Sequence, residues 1–100
     1  MSSLVRLNSA LDWIDIDDKL ADIGCDHGYL ADLAFKKGVS FVQLIDNKEG
    51  PLNVAKKNLY EYLNKTKAKF TLASGLLELD SRVNVVAILG MGGELIANIL

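Results

Sequence analysis

The sequence has 100 residues, enough for about one small domain, with 50% of them hydrophobic and 24% charged. A net charge of −2 excludes a strong overall field for nucleic acid or anionic membranes, and no apolar run reaches the ~20 residues of a bilayer-spanning helix. The N-terminus does not have the pattern of a signal peptide, and the single cysteine, Cys25, excludes an intramolecular disulfide. We therefore expect a cytoplasmic protein that does not bind membranes.

Strand and helix patterns alternate along the chain. The apolar residues Leu4, Leu7, Leu11 and Ile14 have helical spacing and predict an N-terminal helix. The other predicted elements are, in chain order, a strand at 19–23, a helix at 28–37, a strand at 40–45, a helix at 51–64, strands at 68–72 and 83–89, and a helix at 94–100. This alternation predicts an α/β fold with a doubly wound parallel sheet, helices on both faces and about four strands present. The last helix has no glycine cap and no basic last turn, so we expect a fragment of a longer protein.

A glycine loop follows the first predicted strand. Gly24 permits a positive φ and a close approach of a ligand, and the helix that follows offers unpaired N–H groups. The spacing from Gly24 to Gly28 differs from the G-x-G-x-x-G of dinucleotide folds, and Asp26 between them would repel a pyrophosphate. Asp26 suits a cationic amine or sulfonium instead, as in S-adenosylmethionine, and we favour this interpretation over a loop in which Asp26 only caps the helix.

Asp46 ends the second predicted strand, 22 residues after Gly24. An acid at this place accepts hydrogen bonds from both hydroxyls of a ribose. A solvated acid at a strand end is common, but the spacing from Gly24 favours the ribose role. The loop and the acid together predict an adenosine-containing cofactor at the carboxyl edge of the sheet.

Two later loops reach the same predicted edge. Ser74 and Gly75 follow the third strand, where the hydroxyl is suited to an adenine base, with an ordinary turn as the alternative. Three of the four residues 90–93 are glycine, which lets a ligand or substrate lie against the backbone. A tight turn needs only one or two glycines, so we favour a site here, with Met91 as a packing residue.

The remaining reactive side chains form no constellation of their own. His27 is the only histidine and a candidate proton acceptor, although a lone loop histidine is more often a hydrogen-bonding strut. One histidine and one cysteine give no metal-ligand set, and no base and acid accompany Cys25. The lysines from Lys56 to Lys69 either contact phosphate or form the commoner solvated face.

These motifs resemble the TrmK family, the bacterial tRNA (adenine-22-N1)-methyltransferases. The resemblance runs from about Leu4 to Leu100 and rests on Asp22-Ile23-Gly24-Cys25-Asp26-His27-Gly28-Tyr29-Leu30, Gly50-Pro51-Leu52 with Ala55-Lys56-Lys57-Asn58, Gly75-Leu76, and Gly90-Met91-Gly92-Gly93 with Leu95-Ile96 and Ile99-Leu100. It implies a Rossmann-like class I S-adenosylmethionine-dependent methyltransferase fold, followed in the family by a helical C-terminal domain. Residues 1–100 are then the N-terminal part of the cofactor-binding domain, without its last strands and without the helical domain, and such a fragment can be inactive alone.

The resemblance also implies a cofactor, a substrate and roles for residues. The cofactor is S-adenosylmethionine, with S-adenosylhomocysteine as product and no metal, and the substrate is tRNA. The implied cofactor-binding residues are Asp22, Gly24, Asp26, His27, Gly28, Asp46, Asn47, Ser74, Gly75 and Gly90. The implied substrate-binding residues, facing the target base, are Gly90, Met91, Gly92 and Gly93. Ser74 stands where the family usually has aspartate, so the usual adenine contact is weakened or replaced by a hydroxyl.

The implied reaction is the in-line transfer of a methyl group from the sulfonium to N1 of adenine. The ring nitrogen already has a lone pair, so positioning supplies most of the rate and no strong base is required. No catalytic base is identified; Asp26 and His27 are the candidates to assist. The target base must be exposed from the tRNA fold, and we expect the full-length protein to be a monomer.

Two other classes of function stay open. A NAD(P)-binding Rossmann oxidoreductase would use Asp46, but Asp26 and the absence of G-x-G-x-x-G count against it. A non-catalytic remnant would keep the fold and lose the chemistry. Comparing the binding of NADH and S-adenosylhomocysteine tests the oxidoreductase alternative. Cofactor binding without tRNA methylation, by this chain and also by its full-length parent, would support the non-catalytic remnant.

Overall fold

The protein is described by a computed structural model over residues 2–6, 14–25, 27–63, 67–74, 78–89 and 94–99. In these ranges it forms one six-stranded sheet with the strand order β1-β6-β5-β2-β3-β4. The strands are β1 (Ser2–Arg6), β2 (Lys19–Ile23), β3 (Phe41–Asp46), β4 (Ala68–Leu72), β5 (Val85–Leu89) and β6 (Glu94–Ile99). The helices are α1 (Tyr29–Lys37), α2 (Glu49–Asn58) and the single turn α3 (Tyr60–Leu63).

Four neighbouring strands, β5-β2-β3-β4, are parallel. Ile23 lies opposite Ile45 on one side and Ile88 on the other, and Asp46 lies opposite Leu72. The carboxyl ends of these strands therefore meet along one edge of the sheet. The parallel sheet of about four strands that the sequence predicts is confirmed, with β2 and β4 at their predicted bounds.

The two outermost predicted helices are wrong where the structure describes them. Ser2–Arg6, at the start of the predicted N-terminal helix, is the strand β1, and Glu94–Ile99, within the predicted last helix, is the strand β6. β6 pairs antiparallel with both β1 and β5. The periodicity of a short apolar run does not show whether the run is a strand or a helix. The run at 94–99 forms a strand here because its pairing satisfies the backbone groups along the edge of β5. Residues 7–13 of the predicted N-terminal helix lie outside the described residues.

Helices α1 and α2 pack on one face of the parallel strands. α1 buries Leu30, Ala31, Ala34 and Phe35 in the same cluster as Leu52 and Ala55 of α2 and Leu20, Val42 and Leu44 of the sheet. The predicted helix at 51–64 is two pieces, α2 and α3, separated at Leu59. Within the described residues, none of the helices has the length and apolar character needed to cross a membrane.

On the other face of the sheet, a buried glutamine connects β3 to the segment between β4 and β5. Gln43 is fully buried, and its Nε2 donates to Thr71 Oγ1 and to the Glu78 carbonyl oxygen, both at 2.9 Å. Its Oε1 accepts a hydrogen bond from the backbone N–H of Asp80 at 2.8 Å. These three bonds stabilise β4 and the residues after it against β3, because each satisfies a polar group that is shielded from water.

Candidate functional site

A cavity of about 240 Å³ lies at the carboxyl ends of β2, β3 and β4, and we call it the strand-end cavity. It forms there because the parallel register ends the three strands side by side. Each strand contributes its last residue or the one or two residues that follow it. The lining residues are Ile23, Gly24, Ile45, Asp46, Asn47, Ala73 and Ser74.

Backbone hydrogen bonds to β3 hold the first residue after β2 and the first residue after β4 in place. The Gly24 N–H donates to the Ile45 carbonyl at 2.8 Å, and the Ala73 N–H donates to the Asp46 carbonyl at 3.0 Å. Gly24 has a φ of +69°, which residues with a side chain rarely adopt, and a Cβ at this position would meet nothing within 4 Å. The turn after β2 therefore leaves open space beside the backbone.

The polar groups of the strand-end cavity suit an adenosine. The Asp46 carboxylate is partly exposed, and its Oδ1 accepts the Lys48 N–H at 3.0 Å, which fixes its orientation. An ionised carboxylate only accepts hydrogen bonds, as a pair of ribose hydroxyls requires. Ser74 adds an exposed hydroxyl, and the partly exposed Ile23 supplies apolar surface for a base. The cavity is smaller than the ~300 Å³ at which sites for whole small-molecule ligands begin, so it fits part of such a cofactor.

A second cavity of about 290 Å³ lies between the start of α1 and the end of α2, and we call it the helix-end cavity. Its lining residues are His27, Gly28, Tyr29, Asp32 and Asn58. Asn58 Nδ2 donates to the His27 carbonyl at 2.8 Å, which attaches the glycine loop to α2. Gly28 allows the close packing here, since a Cβ on it would lie 3.1 Å from both Ala55 Cβ and Leu59 Cδ1.

A family model described as a methyltransferase domain matches residues 4–100. The chain belongs to this methyltransferase family. Among curated protein sequences, none matches the chain.

Solved structures agree with the family assignment. The chain is similar to M. capricolum TrmK in complex with S-adenosyl-homocysteine, at 29% identity and a TM-score of 0.70, covering 84% of this chain and 39% of that one. It is similar to a Streptococcus pneumoniae protein provisionally assigned as a tRNA (m1A22) methyltransferase, at 29% identity and a TM-score of 0.73, with 84% and 39% covered. A Pyrococcus horikoshii protein provisionally assigned as an RNA methyltransferase has 30% identity and a TM-score of 0.68, with 87% and 42% covered.

These comparisons confirm the resemblance to the TrmK family and the Rossmann-like methyltransferase fold. The chain spans about two fifths of the length of these solved structures, since it covers 39%, 39% and 42% of them. What the similar proteins bind and modify is therefore a basis for proposals about this chain.

The structure places the predicted site residues in several groups. Gly24, Asp46, Asn47 and Ser74 come together in the strand-end cavity, with Ile23, Ile45 and Ala73, which the sequence reasoning did not single out. His27 and Gly28 line the helix-end cavity instead, and Asp22 is buried within β2, with 2% of its surface exposed. Asp26, Gly75, Gly90, Met91, Gly92 and Gly93 lie outside the described residues.

Sequence reasoning also missed Tyr29, Asp32 and Asn58 of the helix-end cavity. Tyr29 and Asn58 fall within motifs of the resemblance, but nothing in their spacing shows that they share a cavity. Their proximity depends on how α2 crosses the start of α1. Among the described residues, no cluster of three or more His, Cys, Asp or Glu side chains is arranged to hold a metal ion.

The predicted basic region partly interacts with the chain itself. Lys56 Nζ lies 5.8 Å from the centre of the Phe70 ring, and Lys69 Nζ bonds Asp80 Oδ2 at 3.1 Å. Asp80 also accepts from Arg82 Nε at 2.8 Å. The Arg82 guanidinium, the Arg82 backbone N–H and Lys69 hold the pKa of the Asp80 carboxyl well below its usual range. Lys56 and Lys69 therefore already interact with other residues of the chain, and the predicted basic region is not made only of lysines available to phosphate.

Proposed function

We propose that the protein is an S-adenosylmethionine-dependent methyltransferase that modifies N1 of an adenine in tRNA, with the adenosine of the cofactor in the strand-end cavity. The observation that carries this proposal is that Gly24, Asp46, Asn47 and Ser74 meet at the ends of three parallel strands. The family match and the similarity to a TrmK structure that contains S-adenosyl-homocysteine support the choice of cofactor. When bound, S-adenosylmethionine supplies the methyl group on its sulfonium.

The residues of the strand-end cavity bind and orient. Asp46 accepts hydrogen bonds from ribose hydroxyls, while the Lys48 N–H keeps its carboxylate in place. Ser74 offers its hydroxyl to the adenine base, and Gly24 lets the ligand approach the backbone. Adenine N1 has a lone pair, so the protein contributes by positioning and no proton has to be removed before attack.

The glycine loop favours S-adenosylmethionine over a dinucleotide. In dinucleotide folds the pyrophosphate binds to free N–H groups where the loop enters the helix. Here the Gly28 N–H, just before the first helical residue, donates to the Cys25 carbonyl at 2.9 Å. This N–H is satisfied within the loop and is not directed at a phosphate, which supports a cofactor that has none.

Calorimetric titration of the chain with S-adenosylhomocysteine, and separately with NADH, tests the cofactor. We expect S-adenosylhomocysteine to bind and Asp46→Ala to weaken it by about tenfold or more, since a hydrogen bond to a charged group contributes about 1.5–3 kcal/mol. Asp17→Ala is the matched control, because this exposed acid lies outside the strand-end cavity. Tighter binding of NADH, or no binding of S-adenosylhomocysteine by a chain that circular dichroism shows to be folded, would contradict the proposal.

Methylation of tRNA tests the substrate and the position. The chain is incubated with S-adenosylmethionine labelled on its methyl group and with unmodified tRNA, and the nucleosides are separated after digestion. We expect the label in 1-methyladenosine, and label in N6-methyladenosine or in a pyrimidine would contradict the assignment to N1. The placement of residues 1–100 in the N-terminal part of a larger domain, the monomeric state and the cytoplasmic location stay predictions.

A further inference from the structure

We propose that the helix-end cavity is a second nucleobase subsite, which holds an unpaired base of the RNA substrate other than the base that is methylated. This inference rests on the proposed function, because an RNA substrate is what brings bases to this surface. It is carried by the lining residues His27, Tyr29, Asp32 and Asn58 and by their own contacts.

The helix-end cavity is separate from the strand-end cavity. Their volumes are about 290 Å³ and about 240 Å³, and among the described residues they share no lining residue. Gly24 lines one cavity and Gly28 lines the other, so the loop between these glycines borders both. A base in the helix-end cavity would thus lie beside the proposed cofactor site without occupying it.

An exposed aromatic ring offers a stacking surface. Tyr29, the first residue of α1, has 57% of its surface exposed, although it neighbours the buried Leu30. His27 adds a second exposed ring to the same cavity. Single-stranded bases stack on such side chains, and each stacked base contributes about 1–3 kcal/mol to binding.

The polar groups favour a base over a phosphate. The Asp32 carboxylate accepts from Lys36 Nζ at 2.9 Å, and this bond raises the pKa of Lys36 above its usual value. A carboxylate on the wall repels a phosphate but accepts a hydrogen bond from an exocyclic amine, as acidic side chains accept from cytosine N4. Uracil offers only its N3–H, which lies between two carbonyl oxygens that a carboxylate repels. The chemistry therefore favours an amino-bearing base, adenine, cytosine or guanine, over uracil.

The wall of the helix-end cavity is preorganised. Asn58 Nδ2 donates to the His27 carbonyl at 2.8 Å, so α2 fixes the loop that carries one of the two rings. Gly28 brings the start of α1 against Ala55 and Leu59, with no room for a side chain between them. A base therefore meets groups that are already held, which lowers the entropy lost on binding.

The test titrates single-stranded RNA hexamers of adenine, of cytosine and of uracil into the chain, with amide NMR as the readout. We expect the adenine and cytosine hexamers to shift Tyr29 and Asn58 and to bind more tightly than the uracil hexamer. Tyr29→Ala should weaken their binding about tenfold, the loss of one stacked base, while Tyr29→Phe keeps the ring and the affinity. Tyr60→Ala is the matched control, because Tyr60 is 70% exposed and does not line the helix-end cavity.

S-adenosylhomocysteine is titrated into every variant in parallel, which separates this inference from the proposed function. An unchanged RNA affinity in Tyr29→Ala, or no RNA binding, with normal S-adenosylhomocysteine binding would overturn the subsite alone. Equal affinities for the uracil and adenine hexamers would overturn the recognition of an amine. Failure of the folded chain to bind S-adenosylhomocysteine would instead overturn the proposed function.

Discussion

The two cavities beside the glycine loop differ in what builds their walls. The strand-end cavity is formed by residues at the ends of central strands. In β3 the lining residue Ile45 and the preceding Leu44 are fully buried. The helix-end cavity is formed by side chains on helix termini, several of them exposed, such as Tyr29. The sheet thus positions the first cavity through the core, while the second depends on one helix crossing. We therefore expect substitutions of buried residues to change mainly the free energy of unfolding, and substitutions of exposed lining side chains to change mainly the affinity for ligands.

The largest effect is expected where the helix crossing is tightest. Gly28→Ala places a Cβ 3.1 Å from Ala55 Cβ and Leu59 Cδ1, at a φ of +77°. Overpacking costs about 1–3 kcal/mol and a left-handed backbone about 1–2 kcal/mol, so we expect the free energy of unfolding to fall by about 2–5 kcal/mol in urea titrations.

Gly24→Ala is the matched comparison for this prediction. Its φ is +69°, but a Cβ there would meet nothing within 4 Å. We expect only the backbone cost of about 1–2 kcal/mol. Equal losses in the two variants would show that the crossing of α1 and α2 is not tightly packed at Gly28.

The next effect is expected from the buried glutamine behind the strand-end cavity. Gln43→Leu removes the partners of Thr71 Oγ1, the Glu78 carbonyl and the Asp80 N–H. These bonds are only part-buried, so losing all three should lower the free energy of unfolding by about 1–3 kcal/mol, which urea titration would measure. Thr71→Val removes only one of the three bonds and should cost less; a greater cost for Thr71→Val would contradict this role of Gln43.

A smaller effect on stability is expected at Asn58. Asn58→Ala removes the 2.8 Å bond to the His27 carbonyl at an exposed position, so the free energy of unfolding should fall by only about 1 kcal/mol. Binding of the adenine hexamer should weaken, and binding of S-adenosylhomocysteine should stay unchanged in calorimetry. A loss confined to S-adenosylhomocysteine would show that the two cavities are not independent. Asn53→Ala, at another exposed asparagine of α2, is the matched control.

The smallest effect is expected from Asp80, on how the free energy of unfolding depends on pH in the acid range. Arg82 and Lys69 lower the pKa of Asp80 in the folded chain, so this carboxylate binds its proton more readily in the unfolded chain. Its contribution to stability is complete above the unfolded pKa of about 4 and is lost as the pH falls toward the lowered folded pKa. Urea titrations from pH 7 to about pH 2 should therefore show a shallower acid loss in Asp80→Asn than in the wild type. An equal acid loss in both proteins would contradict the role of Asp80.

The central strands were predictable because each is a short apolar run that ends in a glycine, an acid or a small polar residue. This pattern also predicted the polar members of the strand-end cavity, Gly24, Asp46 and Ser74. The strands β1 and β6 were not predicted, because the runs at 2–6 and 94–99 fit either secondary structure until their pairing is known. The helix-end cavity was missed for a related reason. It depends on the contact of Gly28 with α2, which no local pattern encodes.

The central claim is that an adenosine cofactor binds at the strand ends, and amide NMR of the chain during titration with S-adenosylhomocysteine tests it most directly. We expect the largest shifts at Gly24, Asp46, Asn47 and Ser74, the predicted site residues that line the strand-end cavity, and much smaller shifts at Asn58. The largest shifts among residues of the helix-end cavity, or no shifts in a folded chain, would contradict the claim.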